Sequence, residues 1–357
     1  MDTVTIQKKN EVFLNVQCDP SIEMELSEHF QFFVPGYKFM PAYRNRMWDG
    51  KIRLFDSRKK TLYTGLHKYL REFCEVRDYT LEVVDSPTYG ALESALSPDI
   101  NGLLSQMSLS VNGADIIPRP YQLEGLSHTL SQEKSLLLSP TASGKSLIIY
   151  LAIRYYLDVF EGNVLLIVPT TSLVEQMYSD FGDYSSKDTW SHADNCHRIY
   201  SGREKHNVNQ RVIISTWQSV YKLPQSWFAG FGMVIGDEAH NFKAKSLTNI
   251  LEKCTEAKYR IGTTGTLDGT QTHQLVLEGL FGPVYQVTTT KELMDNDDLS
   301  QLDINILILK YKEEYCKQIV KEKYQQELDF IVRYEPRNTF ISNLALDQKG
   351  NTLILFN

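Results

Sequence analysis

The chain has 357 residues, of which 42% are hydrophobic and 23% are charged, and its formal net charge is −7. This composition excludes extensive disorder, a collagen-like repeat and a disulfide scaffold, and the length predicts two or three domains. No apolar run reaches the roughly 18–20 residues of a membrane span, so we expect no membrane partner. Five widely spaced cysteines and the lack of a secretory h-region predict a soluble protein of a reducing compartment, the cytoplasm.

In chain order, residues 1–90 predict a small α+β domain and residues 91–115 a linker, since proline and glycine interrupt the latter stretch. Apolar alternation and helical spacing give the elements of the first domain. They are a strand at 11–17, a helix at 20–33, a hairpin formed by 51–55 and 61–63, a helix at 65–75 and a strand at 80–84, followed by a short linker helix near 100–107.

Residues 31–71 of the first domain are strongly basic. They contain ten Lys or Arg and two Asp, a local balance of +8 in a chain whose total is −7. Such a segment indicates a polyanionic partner, with the cations on phosphates and aromatic residues such as Tyr43 and Trp48 on bases. For most of the aromatic residues, however, we expect a place in the core of the small domain. The candidates for that core are Phe32, Phe33, Phe39, Trp48 and Phe55. For the cations, a solvated face is the alternative to contact with DNA. The best candidates for contact with DNA are Arg58, Lys59 and Lys60, at the tip of the predicted hairpin.

Residues 116–285 follow a different pattern, in which short apolar runs alternate with helical stretches. The predicted strands are 135–138, 164–168, 212–215, 233–236 and 259–262. Buried strands that alternate with helices predict an α/β domain, with a parallel sheet and helices on both faces. Beyond it we expect a strand at 302–309, helices at 312–330 and 335–346, and a strand at 352–356.

The run from Ser139 to Ser146 follows the first of these strands and opens a helix. Phosphate binding requires inward-facing backbone N–H groups, a helix N-terminus and a lysine that reaches the β/γ-phosphates. Lys145 is in position to be that lysine, and the Ser146 hydroxyl to bind Mg²⁺. Because Ser139 stands where the GxxxxGK[ST] pattern has glycine, a simple strand-to-helix turn is the alternative. The candidate nucleotide-binding residues here are Thr141, Ala142, Ser143, Gly144, Lys145 and Ser146.

A second candidate site follows the strand at 233–236. Asp237 and Glu238 come at its end, 92 residues after Lys145. An apolar strand that ends in two acids fits a Walker B site, in which Asp237 holds Mg²⁺ and Glu238 orients and deprotonates the attacking water. Adjacent acids are also common on surfaces. Strand ends of one parallel sheet lie at one edge, where nucleotides bind, which favours the catalytic interpretation.

Together these motifs resemble the first motor lobe of a superfamily 2 helicase, a RecA-like P-loop NTPase. Residues 119–122 (RPYQ) resemble the Q motif, 140–146 motif I, 169–176 motif Ia, 237–240 a DEAH box and 264–266 motif III. The resemblance implies an ATP hydrolase with Mg²⁺, in which Gln122 reads adenine and motif Ia touches the nucleic-acid backbone. The implied residues are Arg119, Tyr121 and Gln122 for the base, Thr170, Thr171 and Gln176 for DNA, and His240, Thr264, Gly265 and Thr266 for coupling. Thr171 or Ser172 could equally cap a helix.

The chain from about residue 11 onwards also resembles the UvsW-type recombination and repair helicases of T4-like bacteriophages. The residues that carry this resemblance are 33–39 (FVPGYKF), 47–54 (MWDGKIRL), 216–219 (TWQS) and 227–233 (WFAGFGM). It implies ATP-driven unwinding and branch migration of branched or forked DNA, and of RNA–DNA hybrids, in recombination, repair and replication restart. It also implies the host-cell cytoplasm as the location if the protein is phage-encoded.

One part of the helicase pattern is missing from the sequence. No QxxGRxxR-like run, the source of the arginine fingers in motif VI, is present among the 357 residues. We therefore assign 286–335 to an inter-lobe connector and 336–357 to the start of a truncated second lobe. We expect weak ATP binding and poor hydrolysis by this chain alone, with a separate chain as a candidate source of the second lobe. The alternatives are a non-catalytic DNA- and ATP-binding fragment, a duplex translocase that does not separate strands, and an RNA helicase.

Overall fold

The computed structural model describes residues 2–93, 97–205, 209–267, 269, 271–301 and 304–355. The chain forms two compact units, Met1–Leu299 and Ser300–Asn357. Among the described residues, no helix combines the length and the apolar character that crossing a membrane requires.

The first part of unit 1 is an α+β domain around a five-stranded sheet in the order β5-β6-β2-β1-β7. Strand β7 is parallel to β1, and the other neighbours are antiparallel. Its core contains buried apolar side chains from the strands and from helices α1 and α3. The elements are β1 (Thr3–Lys8), β2 (Phe13–Gln17), α1 (Pro20–His29), β3 (Gln31–Phe33), α2 (Pro41–Arg44), β4 (Lys51–Arg53), β5 (Phe55–Asp56), β6 (Thr61–Tyr63), α3 (His67–Val76) and β7 (Thr80–Val84).

Two of the predictions for this domain were wrong in part. The helix expected at 20–33 ends at His29, because residues 31–33 form β3 and pair with β4. The hairpin expected from 51–55 and 61–63 is correspondingly split: β4 pairs with β3, and only β5 pairs with β6. Helical spacing and strand pairing compete over the aromatic run 30–33, and the available partner strand decides in favour of the strand. The strand at 80–84 is confirmed.

The segment between the two sheets contains α4 (Ile100–Ser105) and a small hairpin of β8 (Ser110–Val111) and β9 (Ala114–Asp115). The helix was expected; the hairpin was not. Asn112 and Gly113 form its two-residue turn with φ of 52° and 77°. Both residue types tolerate this left-handed backbone, so the Asn-Gly pair is the signal that would have predicted the hairpin.

A seven-stranded sheet, in the order β12-β13-β11-β14-β15-β10-β16, forms the second part of unit 1. All its pairings are parallel, which confirms the α/β fold with helices on both faces. The strands are β10 (Lys134–Leu138), β11 (Asn163–Val168), β12 (Cys196–Ile199), β13 (Val212–Thr216), β14 (Phe231–Asp237), β15 (Tyr259–Thr264) and β16 (Val284–Gln286). Only the two edge strands, β12 and β16, were not predicted, because both are short and β12 carries polar residues.

Helices connect these strands and cover the sheet. The two that begin at candidate functional motifs are α6, which starts at Lys145, and α7, which starts at Thr171. The helices of this part are α5 (Pro120–Gln132), α6 (Lys145–Val159), α7 (Thr171–Tyr184), α8 (His192–Asn195), α9 (Trp217–Val220), α10 (Gln225–Phe228), α11 (Lys245–Lys253), α12 (Gln271–Phe281) and α13 (Thr290–Asp295).

The α+β domain packs against the amino-terminal edge of the large sheet. Glu11 is buried there and accepts hydrogen bonds from Lys8 at 2.9 Å and from Lys134, the first residue of β10, at 2.7 Å. Tyr63 and Tyr69 donate to Glu252 and Glu278 of the large-sheet part, both at 2.5 Å. Since these contacts replace the hydration of buried polar groups, they fix the α+β domain on this edge.

Unit 2 contains the helices α14 (Glu313–Ile319), α15 (Tyr324–Arg333) and α16 (Glu335–Leu346). The last is confirmed with the bounds expected from the sequence, whereas the helix expected at 312–330 is broken between α14 and α15. The expected strands are wrong for 304–309 and 352–355, which are not β-structure; the remaining residues of both predictions lie outside the described part. A strand needs a hydrogen-bonding neighbour, and these apolar runs have none among the described residues.

Candidate active site

The phosphate-loop candidate connects β10 to α6 at the carboxyl edge of the large sheet. Its backbone turns through left-handed conformations at Ala142 (φ 68°) and Gly144 (φ 79°). Ser139, which stands where the pattern has glycine, is fully buried and its hydroxyl lies 2.6 Å from that of Ser143. A Cβ on Gly144 would lie only 2.3 Å from Nε2 of Gln122. The loop is therefore braced internally by serine hydroxyls, and the departure from glycine is accommodated.

The side chain of Lys145 folds back over this loop. Its Nζ donates to the carbonyl of Ser139 at 3.3 Å and lies 4.0 Å from Oε1 of Glu238. The ammonium is thus held by one carbonyl and one distant carboxylate, where a phosphate oxygen would be a stronger partner. The two motifs that the sequence places 93 positions apart, from Lys145 to Glu238, meet in space.

Ser146 lies at the start of α6 and contacts α7. Its hydroxyl is 2.8 Å from that of Tyr184 and is also hydrogen-bonded to Asp180. Burial raises the pKa of both partners. Neither Tyr184 nor Asp180 belongs to a sequence motif, and their spacing of four residues on one helix face is the only signal in the sequence that they act together.

The acidic pair lies at the end of β14. Asp237 is almost fully buried, and it accepts a hydrogen bond from the hydroxyl of Thr263, on the neighbouring β15, at 2.7 Å. Glu238 has a left-handed backbone (φ 51°), and its side chain is one-third exposed. Such a conformation costs a non-glycine residue energy and is concentrated at functional sites. The sequence analysis did not identify Thr263.

The four residues expected to couple the sites are close together beside the phosphate loop. His240 Nδ1 lies 3.0 Å from the hydroxyl of Thr264 and 3.4 Å from Oε2 of Glu238. Thr264 in turn donates to the carbonyl of Thr266 at 3.0 Å. A Cβ on Gly265 would lie 3.6 Å from Nζ of Lys145. The histidine therefore connects the general-base candidate to the end of β15.

The Q-motif residues also contact the phosphate loop. Gln122 accepts from the backbone N–H of Arg119 at 2.8 Å, and its Nε2 donates to the carbonyl of Ser143 at 2.9 Å. Tyr121 donates to the same carbonyl at 3.1 Å, and Arg119 donates to the Tyr121 hydroxyl at 3.0 Å. The guanidinium of Arg119 also pairs with Asp298 at 2.9 Å. A base bound here would be linked to the phosphate loop through two side chains.

The motif Ia residues lie at the same carboxyl edge, after β11. Thr170, Thr171 and Gln176 are all exposed. Thr170 is the N-cap of α7 and accepts from the backbone N–H of Leu173 at 3.3 Å. A cap at Thr171 or Ser172, the alternative from the sequence, is therefore wrong by one or two residues. The side chains of Thr170 and Thr171 are exposed at the helix N-terminus, where a ligand can reach them.

The basic candidates of the α+β domain are partly engaged with the protein itself. Lys60 pairs with Glu23 at 2.5 Å, and Lys59 lies 3.7 Å from Asp56. Arg58 is exposed at the tip between β5 and β6.

A second group around α2 presents exposed cations beside aromatic rings. The members of this α2 group are Lys38, Tyr43, Arg44, Arg46 and Trp48. The expectation that most aromatic residues are core holds for Phe55, but Phe33 and Phe39 are 51% and 76% exposed. The basic segment therefore offers two candidate surfaces rather than one.

The donor set at the carboxyl edge fits Mg²⁺. Ser146 contributes a hydroxyl and Asp237 a carboxylate, and hard oxygen ligands are what this ion requires. Lys145 adds the cation that a bound polyphosphate needs.

Comparison with known proteins places the chain in a family. The family profile described as type III restriction enzyme, res subunit, matches residues 115–269, and that described as DNA helicase UvsW, N-terminal, matches residues 4–85. The ATP-dependent DNA helicase UvsW of Enterobacteria phage T4 is 33% identical over 349 residues, which cover 96% of this chain and 68% of that protein. The chain belongs to the UvsW family of helicases.

Two crystal structures of the T4 family member resemble this fold. One has a TM-score of 0.72 and 31% identity, covering 96% of this chain and 67% of that one. The other has a TM-score of 0.71 and 32% identity, covering 80% of this chain and 99% of that one. The UvsW family assignment and the RecA-like fold expected from the motifs are thus confirmed.

Proposed function

We propose that this chain binds Mg²⁺ and ATP at the carboxyl edge of its large sheet and uses them as an ATP-dependent DNA helicase or translocase. The observation that carries the proposal is the 4.0 Å separation of Lys145 Nζ, at the start of α6, and Glu238 Oε1, directly after β14. A phosphate-binding cation and a candidate general base beside one loop form the arrangement that phosphoryl transfer to water requires.

Each side chain has a distinct role in this proposal. Ser146 and Asp237 would hold Mg²⁺, which would supply positive charge to offset the negative charge of the transferring phosphoryl group. Lys145 exchanges its contact with the Ser139 carbonyl for the β/γ-phosphates. Glu238 orients the attacking water and accepts its proton on a carboxylate oxygen. Its carboxylate lies 4.0 Å from the ammonium of Lys145, next to the loop that would hold the phosphates.

Three further residues give the site base recognition and coupling. Gln122 reads adenine, and its hydrogen bond to the Ser143 carbonyl links an occupied base site to the phosphate loop. His240 transmits the state of Glu238 to Thr264 through its 3.0 Å contact. Two motifs support these contacts. In motif III the supporting residues are Gly265 and Thr266, and in the Q motif they are Arg119 and Tyr121.

We propose branched or forked DNA as the substrate, with RNA–DNA hybrids as a second class. Thr170, Thr171 and Gln176 would contact the sugar–phosphate backbone from the N-terminal part of α7. The exposed cations of the α+β domain, Arg58 with Lys59 and Lys60 and the α2 group, would add contacts with phosphates. The T4 relative is named as a DNA helicase, which supports DNA rather than RNA.

The decisive experiment measures DNA-stimulated ATP hydrolysis by the 357-residue chain, with Lys145→Ala and Glu238→Gln beside it. We expect any hydrolysis to depend on both residues, while Glu238→Gln retains nucleotide binding. Strand displacement on forked DNA then separates a helicase from a translocase that moves on duplex without unwinding. Hydrolysis that survives Lys145→Ala would contradict the proposal.

A second candidate function is non-catalytic binding of DNA and ATP. The feature that favours it is the lack of an arginine-finger run among the 357 residues. Among the described residues, unit 2 also exposes large apolar side chains, including Ile306 at 82% and Leu355 at 84%, which a second RecA-like lobe would cover. Binding without hydrolysis, restored by an added second-lobe polypeptide, would support this version.

A further inference from the structure

We propose that Thr263 is a positioning residue for the Mg²⁺ site, where it fixes the orientation of the Asp237 carboxylate. The inference rests on the function proposed above. It concerns a residue that none of the sequence motifs includes, since Thr263 precedes motif III on strand β15 and its role follows from its neighbour across the sheet.

The geometry of the pair is direct. Asp237 and Thr263 are register partners on the adjacent parallel strands β14 and β15. The Thr263 hydroxyl donates to Oδ1 of Asp237 at 2.7 Å. Both residues are buried, with 1% exposure for Thr263 and 4% for Asp237. The hydrogen bond is therefore shielded from water, and its loss would leave a buried carboxylate oxygen without this donor.

The contact constrains rotation as well as charge. Threonine is branched at Cβ, so its χ1 angle is restricted and the hydroxyl of Thr263 has a defined direction in the strand. Donation to Oδ1 fixes the rotation of the whole carboxylate of Asp237, and with it the direction of the second oxygen. Groups that orient metal ligands in this way typically affect metal affinity by about 10–100-fold.

A purely structural role makes a different prediction. If Thr263 only satisfies a buried carboxylate, its replacement lowers the stability of the protein but leaves the dependence of nucleotide binding on Mg²⁺ unchanged. If it positions Asp237, the Mg²⁺ concentration needed for nucleotide binding rises, while nucleotide binding without metal stays the same. The dependence on Mg²⁺ therefore separates the two roles.

The test uses the full chain and a fluorescent, non-hydrolysable ATP analogue titrated with Mg²⁺. We compare wild type with Thr263→Val, which replaces the hydroxyl with a methyl group of similar size, and with Thr263→Ser, which retains it. Thr129→Val is the matched control, because Thr129 is also buried and its hydroxyl has no hydrogen-bond partner among the described residues.

We expect Thr263→Val to raise the half-saturating Mg²⁺ concentration about 10-fold or more. Thr263→Ser and Thr129→Val should stay near wild type, and the metal-free affinity for the analogue should be the same in all four proteins. If Thr263→Val does not fold, Thr263→Ala provides the same comparison without a new methyl group beside the carboxylate.

Three outcomes would overturn the positioning role of Thr263, and only the third would also overturn the proposed metal site. A Thr263→Val titration that coincides with wild type, or an equal loss in Thr263→Ser, would refute the positioning role and leave the proposed function intact. A wild-type protein whose nucleotide binding does not respond to Mg²⁺ would instead refute the proposed metal site, and this inference with it.

Discussion

The two edges of the large sheet both carry charged side chains, but they differ in what surrounds them. At the amino edge, Arg260 is fully buried and donates to the carbonyls of Leu280, Cys254 and Leu251 at 2.7–3.0 Å. At the carboxyl edge, Nζ of Lys145 lies 3.3 Å from the carbonyl oxygen of Ser139, and the side chain of Glu238 is one-third exposed. Strand β10 joins the two edges, since it begins at Lys134 and leads into the phosphate loop.

The comparison teaches that a buried charge is not by itself a sign of function. The cations at the amino edge have protein partners with good geometry: Arg260 binds carbonyls at the ends of α11 and α12, and Lys134 binds Glu11 at the junction with the α+β domain. At the carboxyl edge, the side chains of Lys145 and Glu238 have long contacts, from 3.3 Å to 4.0 Å, and both are partly exposed, so a ligand can replace those contacts. The quality of the existing partners, rather than burial, distinguishes the candidate active site from the junction.

The largest effect that would test this difference is on stability at the amino edge. Glu11→Ala should lower the free energy of unfolding by about 3–5 kcal/mol, because Lys8 and Lys134 would be left buried without their carboxylate. Even beside Glu11, burial lowers the pKa of Lys134 to about 8. Chemical denaturation measures the change. Asp115→Ala is the control, since its pair with Lys187 is exposed; an equal loss there would contradict the distinction.

At the carboxyl edge we expect the opposite result, a loss of binding without a loss of stability. Lys145→Ala should weaken binding of an ATP analogue by about 1.5–3 kcal/mol, or roughly 10–150-fold, because a charged hydrogen bond to phosphate disappears. Its melting temperature without nucleotide should match wild type. Fluorescence titration and thermal denaturation measure the two quantities, with the exposed Lys222→Ala as control. A lower melting temperature of Lys145→Ala without nucleotide would contradict the difference between the edges, because Lys145 would then stabilise the fold as the amino-edge cations do.

A third region, the surface of the α+β domain, belongs to neither edge. The salt dependence of DNA affinity tests whether its cations contact DNA. In the first variant, alanine replaces Lys38, Arg44 and Arg46 together. The plot of log affinity for duplex DNA against log salt concentration should then become less steep by about 3, if each cation neutralises one phosphate. Arg58→Ala should make it less steep by about 1. The slope is measured by fluorescence anisotropy, and Lys187→Ala should leave it unchanged. Unaltered slopes in both variants would assign these cations to a solvated face.

The smallest effect concerns pH at the amino edge. Burial opposes ionisation of Glu11, but Lys134 and Lys8 outweigh it and hold its pKa below the usual 4.5. A lowered carboxylate pKa stabilises the fold above the unfolded-state value, and this contribution is lost as pH falls through the folded-state value. The stability gap between wild type and Glu11→Gln should therefore narrow below about pH 4.5. A gap that stays constant or widens on acidification would contradict the ion cluster.

The sequence predicted the central strands of the large sheet and the motif residues at their ends, because apolar runs and turn chemistry are local signals. It failed where pairing decides the structure. Residues 31–33 continue a helical pattern but form a strand with 51–53. The apolar residues at 304–309 resemble a strand but are not β-structure. A local pattern gives the preference of a segment, and the presence of a partner determines whether that preference is realised.

The sequence by itself determined which residue types stand at the carboxyl ends of β10 and β14, and hence the family and the candidate chemistry. Only the tertiary structure decided which groups support them. Thr263 contacts Asp237 from 26 residues away, and Lys134 contacts Glu11 from 123 residues away. Both contacts depend on the order of strands and on domain packing, which arise from many weak interactions across the chain. No spacing within the sequence encodes them directly.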